Sequence, residues 1–260
     1  MHVARGFEEL PRSEAPVLVV VGVFDGLHRG HAYLLDHLVA EARVVGARPV
    51  VVTFDHHPDE ILTGSAPPLL CDPAERLERL AAAGVDTTVV VHFDQRLRET
   101  TYDAFVGMIA ARAPVAGFLM TPDAAFGYQR GGTPAALARL GAERGFEVAV
   151  VPPFALDGRP VRSTEVREAI TVGDLDTAAA LLGRPHGVVG EALALTGGDD
   201  GCQLRFELPM ALPPDGRYAV LAGAGDAPTH DIAVLGGGTV RLERAIPGAR
   251  LRVAFVAEDH

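Results

Sequence analysis

An alternation of segment types most constrains how this chain can fold. Short β-branched, almost wholly apolar runs recur along its first two-thirds, each followed by a stretch with helical spacing. Val17–Val23 and Pro49–Phe54 read as strands. Between them, His31 to about Val44 reads as a helix with Leu34, Leu35, Leu38 and Val39 on one face. A strand without polar alternation must be covered on both faces, as in the middle of a parallel sheet. The pattern continues with a helix at Pro73–Ala83, a strand at Thr87–Val91, a helix at Tyr102–Ala111 and a strand at Gly117–Thr121. A helix at Thr133–Arg144, a strand at Val148–Val151 and helices at Thr164–Val172 and Asp174–Leu182 follow, Asp174 capping the last. Such a βαβ series predicts an α/β fold: a doubly wound, Rossmann-like, mostly parallel sheet with helices on both faces. The character changes at Gly183-Arg184-Pro185. Beyond it, Gly-rich turns at Gly197-Gly198 and Gly236-Gly237-Gly238 punctuate short segments at Gln203–Leu208, Arg217–Leu221 and Val240–Leu242. These predict a small antiparallel β domain or barrel. Two domains are therefore expected, residues 1–185 and residues 186–260.

Composition excludes several function classes. A net charge of −11 offers no basic stripe for nucleic acid. No segment has signal-peptide form, and no apolar run is long enough to cross a bilayer. Two widely separated cysteines, Cys71 and Cys202, make a disulfide framework unsuitable and favour a reducing, cytoplasmic setting. All 23 basic residues are arginine. A P-loop needs its lysine, and so does a Schiff base, so both are excluded. Any phosphate clamp must use arginine, histidine, backbone N–H groups and a metal ion.

Four segments carry candidate chemistry. The first is Gly22-Val23-Phe24-Asp25-Gly26-Leu27-His28-Arg29-Gly30-His31. Strand, tight turn and helix start present free N–H groups and the positive end of a helix dipole, a natural phosphate seat. Gly26 and Gly30 let the backbone approach, and His28 and His31, one helical turn apart, can face one anion. The second is Thr53-Phe54-Asp55-His56-His57-Pro58, at the carboxyl end of a strand where ligands of open sheets bind. Adjacent residues of an extended chain point to opposite faces, so His56 and His57 make a poor chelating pair, and no metal ligands are expected. The third runs from Asp123 to Gly132, where Phe126 and Tyr128 can stack on a flat ring. The fourth is Arg162-Ser163-Thr164-Glu165-Val166-Arg167. There Ser163 or Thr164 can cap a helix, with Glu165 or Glu168 completing a capping box, and Arg167 adds fixed charge to a second anion site. Two such sites suit a triphosphate gripped from both ends. The reaction they suit is in-line attack of an acceptor phosphate on the α-phosphorus, which needs positioning and charge stabilisation above all.

In this order the motifs resemble those of the bacterial bifunctional riboflavin kinase/FMN adenylyltransferase (FAD synthetase) family over roughly residues 15–186, the adenylyltransferase module of HxGH type. Gly22 to His31 resembles its first nucleotide motif. Thr53 to Pro58 resembles Thr-Phe-Asp/Glu-Pro-His-Pro. Phe126-Gly127 with Arg130 resembles its Phe-Gly loop. Ser163 to Arg167 resembles Ser-Ser-Thr-x-x-Arg, and Leu181 to Pro185 its end-of-domain signature. The resemblance implies that His28, His31 and Arg167 act on the reacting phosphates. It implies that Gly22, Phe24, Asp25, Gly30, Ser163 and Thr164 bind ATP, and that His57, Pro58, Asp123, Phe126 and Tyr128 border the flavin. Mg²⁺ would accompany ATP, and FMN and FAD would be substrate and product.

The departures are local. His56 stands in place of the usual proline, Ala124 and Ala125 in place of bulkier residues, and Arg162 in place of the first serine. Past Gly183 neither the kinase motif Gly-Phe-Pro-Thr-Ala-Asn nor its later glutamate is found, although Leu212 to Val220 resembles an early barrel strand. The expected protein is an enzyme making FAD from ATP and FMN without riboflavin kinase activity. The alternatives are a nucleotidyltransferase for another phosphorylated acceptor and a non-catalytic flavin- or nucleotide-binding protein. Its partners are small molecules, with no nucleic acid and no membrane; a homo-oligomer is compatible with the sequence.

Overall fold

The computed structural model describes residues 1–195, 201–225 and 227–256. In chain order the strands of the first part are β1 (His2–Ala4), β2 (Val17–Val21), β3 (Arg48–Phe54), β4 (Thr87–Val91), β5 (Val115–Met120) and β6 (Glu147–Val150). The helices are α1 (Arg29–Val44), α2 (Pro58–Thr63), α3 (Pro73–Ala82), α4 (Gln95–Arg98), α5 (Tyr102–Ala110) and α6 (Pro134–Arg144). A short hairpin, β7 (Ala155–Leu156) and β8 (Arg159–Pro160), leads to α7 (Ser163–Thr171) and α8 (Leu175–Leu182). Six further strands complete the chain: β9 (Gly187–Ala194), β10 (Cys202–Arg205), β11 (Gly216–Gly223), β12 (Thr229–Gly236), β13 (Thr239–Leu242) and β14 (Arg250–Phe255).

Two compact units emerge. One holds Met1–Phe24, Gly30–Pro67 and Leu77–Ala155; the other holds Asp25–Arg29, Pro68–Arg76 and Leu156–His260. The first is built on a sheet of order β1-β4-β3-β2-β5-β6, parallel at every pairing. Alternate residues, Val17, Val19, Val50, Val52, Val89, Val91, Phe118 and Met120, pack with Phe105, Ile109, Leu137 and Leu140 of α5 and α6. The intervening set, Leu18, Val20, Val51, Val90 and Leu119, is buried as well. Burial on both faces explains why these strands lack polar alternation. The order runs outward from β2 to β3 and β4, then restarts on the other side of β2 at β5. That reversal is a topological switch point, and the crevice lies past the carboxyl ends of β2 and β5.

In the second unit β9 to β14 close an antiparallel barrel of order β10-β13-β12-β11-β14-β9. Val188, Leu204, Val220, Ala222, Ala233, Val240, Leu242, Leu251, Val253 and Phe255 fill it. Closure leaves no unpaired strand edge. Gly237 (φ 57°) and Gly238 (φ 77°) join the paired Gly236 and Thr239, the two-positive-φ geometry of a type I′ hairpin that glycine permits. The turn expected at Gly197-Gly198 lies outside the described residues. Asp174 caps α8 as expected, accepting from Thr177 N at 3.0 Å. Strand β1, the hairpin β7–β8 and the short helices α2 and α4 carry too few periodic residues to be read in advance. No helix among the described residues is long and apolar enough to cross a membrane.

Candidate active site

Within the first unit, the chain leaves β2 into a strained turn. Gly22 N donates to Val52 O at 3.0 Å, and Thr53 Oγ1 donates to Val23 O at 3.0 Å, so the turn starts from a fixed point on β3. Phe24 takes φ 53° and is buried, its ring 5.1 Å from that of His31 on α1. The expected strand to Val23 therefore ends at Val21. Positive φ at a bulky residue is costly and persists only where packing enforces it.

A pocket of about 580 Å³ opens in the same unit, a size suited to a small ligand. Gly22, His57, Pro58, Phe126 and Tyr128 line it, as do Phe54, Phe93, Leu97, Arg98 and Arg130. His57 owes its position to α2: its Nδ1 accepts from Asp59 N at 3.2 Å as the N-cap, with Pro58 at the first helical position. Phe126 is anchored from behind by Phe105 and Phe118, at ring distances of 4.8 and 5.7 Å. It is a wall of the pocket, and only Tyr128 of the expected stacking pair is an exposed ring. The loop depends on two glycines. A Cβ on Gly127 (φ 75°) would lie 2.6 Å from Tyr102 N, and one on Gly132 would lie 2.7 Å from Phe126 O. Asp123, expected to border the flavin, does not line the pocket. It is exposed, takes a 2.8 Å hydrogen bond from Thr121 Oγ1, and accepts from Arg130 Nη2 through its carbonyl at 2.9 Å.

The second unit contains Asp25, His28, Ser163, Thr164 and Arg167. Asp25 is 2% exposed, and its carboxylate accepts from Leu70 N at 2.9 and 3.1 Å, from Cys71 N at 3.3 Å and from Arg167 Nη2 at 2.5 Å. Arg167 Nε also donates to Pro68 O at 2.8 Å. Ser163 Oγ donates to Asp25 O at 3.3 Å, and Arg184 Nη2 donates to Gly26 O at 2.6 Å. Gly26 has φ 75°, and a Cβ there would meet Leu70 Cβ at 2.7 Å. The turn is thus held at nearly every polar atom. His28 is buried, and burial first, then the nearby Arg167 and Arg184 guanidinium groups, lower its pKa to about 4. It is neutral at pH 7 and carries one N–H donor. Burial, then the Asp25 and Glu75 carboxylates, push the Cys71 thiol up to about 12, so it serves as an inert acceptor for Gly26 N at 3.2 Å.

Two expectations change. His28 precedes α1, which begins at Arg29, so the one-turn helical spacing to His31 does not apply; Gly30 and His31 lie in its first turn. The N-cap of α7 is Arg162, without a side-chain cap, so neither Ser163 nor Thr164 caps the helix and no capping box forms. Ser163 is drawn to the Asp25 carbonyl instead, and the N-cap side chain makes no capping hydrogen bond to α7. Phe54 and Phe93 share a signal that was available in the sequence, since Phe54 ends β3 and Phe93 lies just past β4. Arg98 and Leu97 had none, as α4 is a four-residue helix.

A model of the FAD synthetase family matches residues 10–165. The bifunctional riboflavin kinase/FMN adenylyltransferase of Escherichia coli strain K12 is 33% identical over 248 residues, covering 91% of this chain and 78% of that protein. The protein of the same description from Pseudomonas fluorescens is 34% identical over 194 residues, covering 74% and 62%. A solved Streptococcus pneumoniae structure described as a macrolide-efflux protein superposes with a TM-score of 0.81 over 100% of this chain and 92% of its own, at 23% identity, a likeness of fold. With both the first turn and the pocket loop inside the matched residues, and with the Escherichia coli relative aligned along nearly the whole sequence, the chain belongs to the FAD synthetase family.

Proposed function

We propose that the chain transfers AMP from ATP to FMN, giving FAD and pyrophosphate, and does not phosphorylate riboflavin. The observation that carries this reading is the buried, over-determined turn around Asp25 and His28 in a chain of the FAD synthetase family. An FMN phosphate oxygen attacks the α-phosphorus of ATP, a P–O bond forms, the bond to the β-phosphate oxygen breaks, and the electron pair leaves with pyrophosphate. Little covalent chemistry falls to the protein; it must position the reactants and meet developing charge. Neutral His28 donates an N–H to a phosphate oxygen, and His31 is the second donor. Ser163 and Thr164 offer the uncapped N–H groups of α7, whose dipole favours an anion. Gly22, Phe24 and Gly30 shape the backbone against ATP. Asp25 and Arg167 satisfy one another, so their part is to hold the turn. The Asp25 carboxylate is already engaged by Arg167 and by the Leu70 and Cys71 N–H groups, so Mg²⁺ would enter with ATP and neutralise charge on its phosphates.

On the acceptor side, Tyr128 stacks on the flavin, His57, Pro58 and Phe126 wall it, and Arg98 and Arg130 supply charge for its phosphate. Residues 1–185 are proposed as the adenylyltransferase part and residues 186–260 as a barrel without kinase function. The free thiols of Cys71 and Cys202 support a cytoplasmic setting. A second reading, AMP transfer to a different phosphorylated acceptor, is favoured by Asp123, expected to border the flavin, which is exposed and does not line the pocket. Incubation with ATP, Mg²⁺ and FMN, following FAD and pyrophosphate, tests the first reading, with His31→Ala abolishing both products. ATP turnover with other phosphorylated acceptors but no FAD would establish the second. FMN formed from riboflavin would refute the reading of the barrel.

A further inference from the structure

The carboxyl ends of β3 and β4 bring together three side chains with no part in adenylyl transfer. Phe54 and Val91 are register partners on these parallel strands, so Asp55 and His92 are the next residue on each. Asp55 N donates to Val91 O at 3.1 Å, which locks that register one residue further. The Asp55 carboxylate is aimed by two backbone donors, His56 N at 2.7 Å and Phe93 N at 3.2 Å, both on Oδ1. His92 Nδ1 lies 2.6 Å from Oδ2, and His56 Nδ1 lies 3.2 Å from Oδ1. The two imidazoles meet edge to face at 5.8 Å. One ligand atom from each residue falls within 4.8 Å of the others.

We propose that Asp55, His56 and His92 form a binding site for a divalent transition-metal ion of the Zn²⁺ class. Bonds of about 2.0–2.2 Å in a tetrahedral site place ligand atoms roughly 3.3–3.6 Å apart. The separations here, 2.6 and 3.2 Å to the carboxylate and within 4.8 Å overall, bracket that spacing. Two imidazoles and one carboxylate are a donor set for Zn²⁺, Co²⁺ or Ni²⁺ and a poor one for Mg²⁺, which takes oxygen ligands. The side chains of His92 and His56 are 66% and 43% exposed, so the ion enters from solvent and water completes its coordination. The hydrogen bonds to Oδ1 supply the outer support such sites need. His57 takes no part, because its Nδ1 caps α2. The site also gives a use to His56, which stands where the family segment carries proline. It needs the pair His56 and His92, joined through the sheet, in place of the adjacent pair that sequence spacing disfavours. An ion here ties β3 to β4 just before His57 and Pro58, and it does so whichever acceptor the enzyme uses.

The test is titration of the untagged full chain with Co²⁺, read by its visible absorption, and with Zn²⁺ by calorimetry. The expected result is one saturable ion per chain and a rise in melting temperature. Asp55→Asn, His56→Ala and His92→Ala should each weaken binding by about 10–100-fold or more. His230→Ala, at an exposed barrel position, should leave it unchanged. The exposure of His92 makes its variant safe for folding, checked by circular dichroism without metal. Absence of saturable binding, or wild-type affinity in the His56→Ala/His92→Ala double variant, overturns the proposal.

Discussion

Asp25 is the residue whose loss should be felt most. Asp25→Ala removes the acceptor of two buried backbone N–H groups, those of Leu70 and Cys71, and the counter-ion of Arg167. An orphaned buried donor costs about 1–3 kcal/mol, and breaking a buried ion pair from one side costs about 3–5 kcal/mol. The same carboxylate serves all three partners, so these terms overlap, and a loss of about 4–6 kcal/mol is expected. That is a large part of the roughly 5–15 kcal/mol that holds a typical protein folded. Equilibrium urea unfolding measures it as a fall in midpoint at constant slope. Asp25→Ala/Arg167→Met should then cost less than the sum of the single changes, by about 0.5–3 kcal/mol, because the second change removes the stranded guanidinium. Should Asp25→Ala not accumulate, Asp25→Asn keeps the shape and shows the same coupling, since one amide group must face a donor. A single-variant cost below about 1 kcal/mol, or strict additivity of the pair, would refute the account of Asp25 as the hub of the turn.

Three further outcomes follow from the geometry. The pKa of His28 and of His186 is lowered from 6.5 to about 4 in the folded chain, chiefly by burial, so the unfolded chain binds more protons between these values. Stability is therefore full above pH 6.5 and falls as pH drops toward 4, by up to about 3 kcal/mol per histidine at 1.36 kcal/mol per pH unit. Melting curves over that range should flatten in His186→Gln, and an unchanged slope would count against it. Gly26→Ala places a Cβ 2.7 Å from Leu70 Cβ at φ 75°, and a loss of about 2 kcal/mol or more should appear in unfolding, with adenylyl transfer falling alongside. Tyr128→Ala, at an exposed pocket wall, should raise the KM for FMN while leaving kcat and stability near wild type; an unchanged KM would remove Tyr128 from the acceptor pocket.

The parallel sheet was legible because its central strands are buried on both faces, and continuous Val-rich runs have few other uses. The hairpin at Gly236–Thr239 was legible for a related reason, since consecutive positive φ values require glycine. The phosphate-side turn was visible as a motif but not as a mechanism. Nothing in the spacing of Asp25 and Arg167 announces an ion pair across 142 positions. The capping expectation at Ser163 failed for the same reason: a local rule lost to a tertiary partner, the Asp25 carbonyl. Likewise His92 had no sequence neighbour to mark it, and only the register of β3 with β4 sets it beside Asp55.

Within the second unit, the barrel also supports the turn around Asp25. From β14, Arg250 pairs with Asp72 and Arg252 pairs with Glu75. Both carboxylates lie on the segment 68–76, where Leu69 is fixed on both sides: its N donates to Pro209 O, and its carbonyl accepts from Ala211 N, each at 2.8 Å. The next two residues, Leu70 and Cys71, give their N–H groups to Asp25. Asp25 holds Arg167, which with Arg184 adds to the burial that lowers the His28 pKa. Ion pairs from a barrel strand thus hold the segment 68–76, and backbone N–H groups of that segment hold Asp25. Strand β14 supports the segment whose backbone donors hold the Asp25 carboxylate. Truncating the chain at residue 185 would strip the support from Leu69 and Asp72 together, and the turn would lose its geometry even though every residue of the nucleotide motif remained in the sequence.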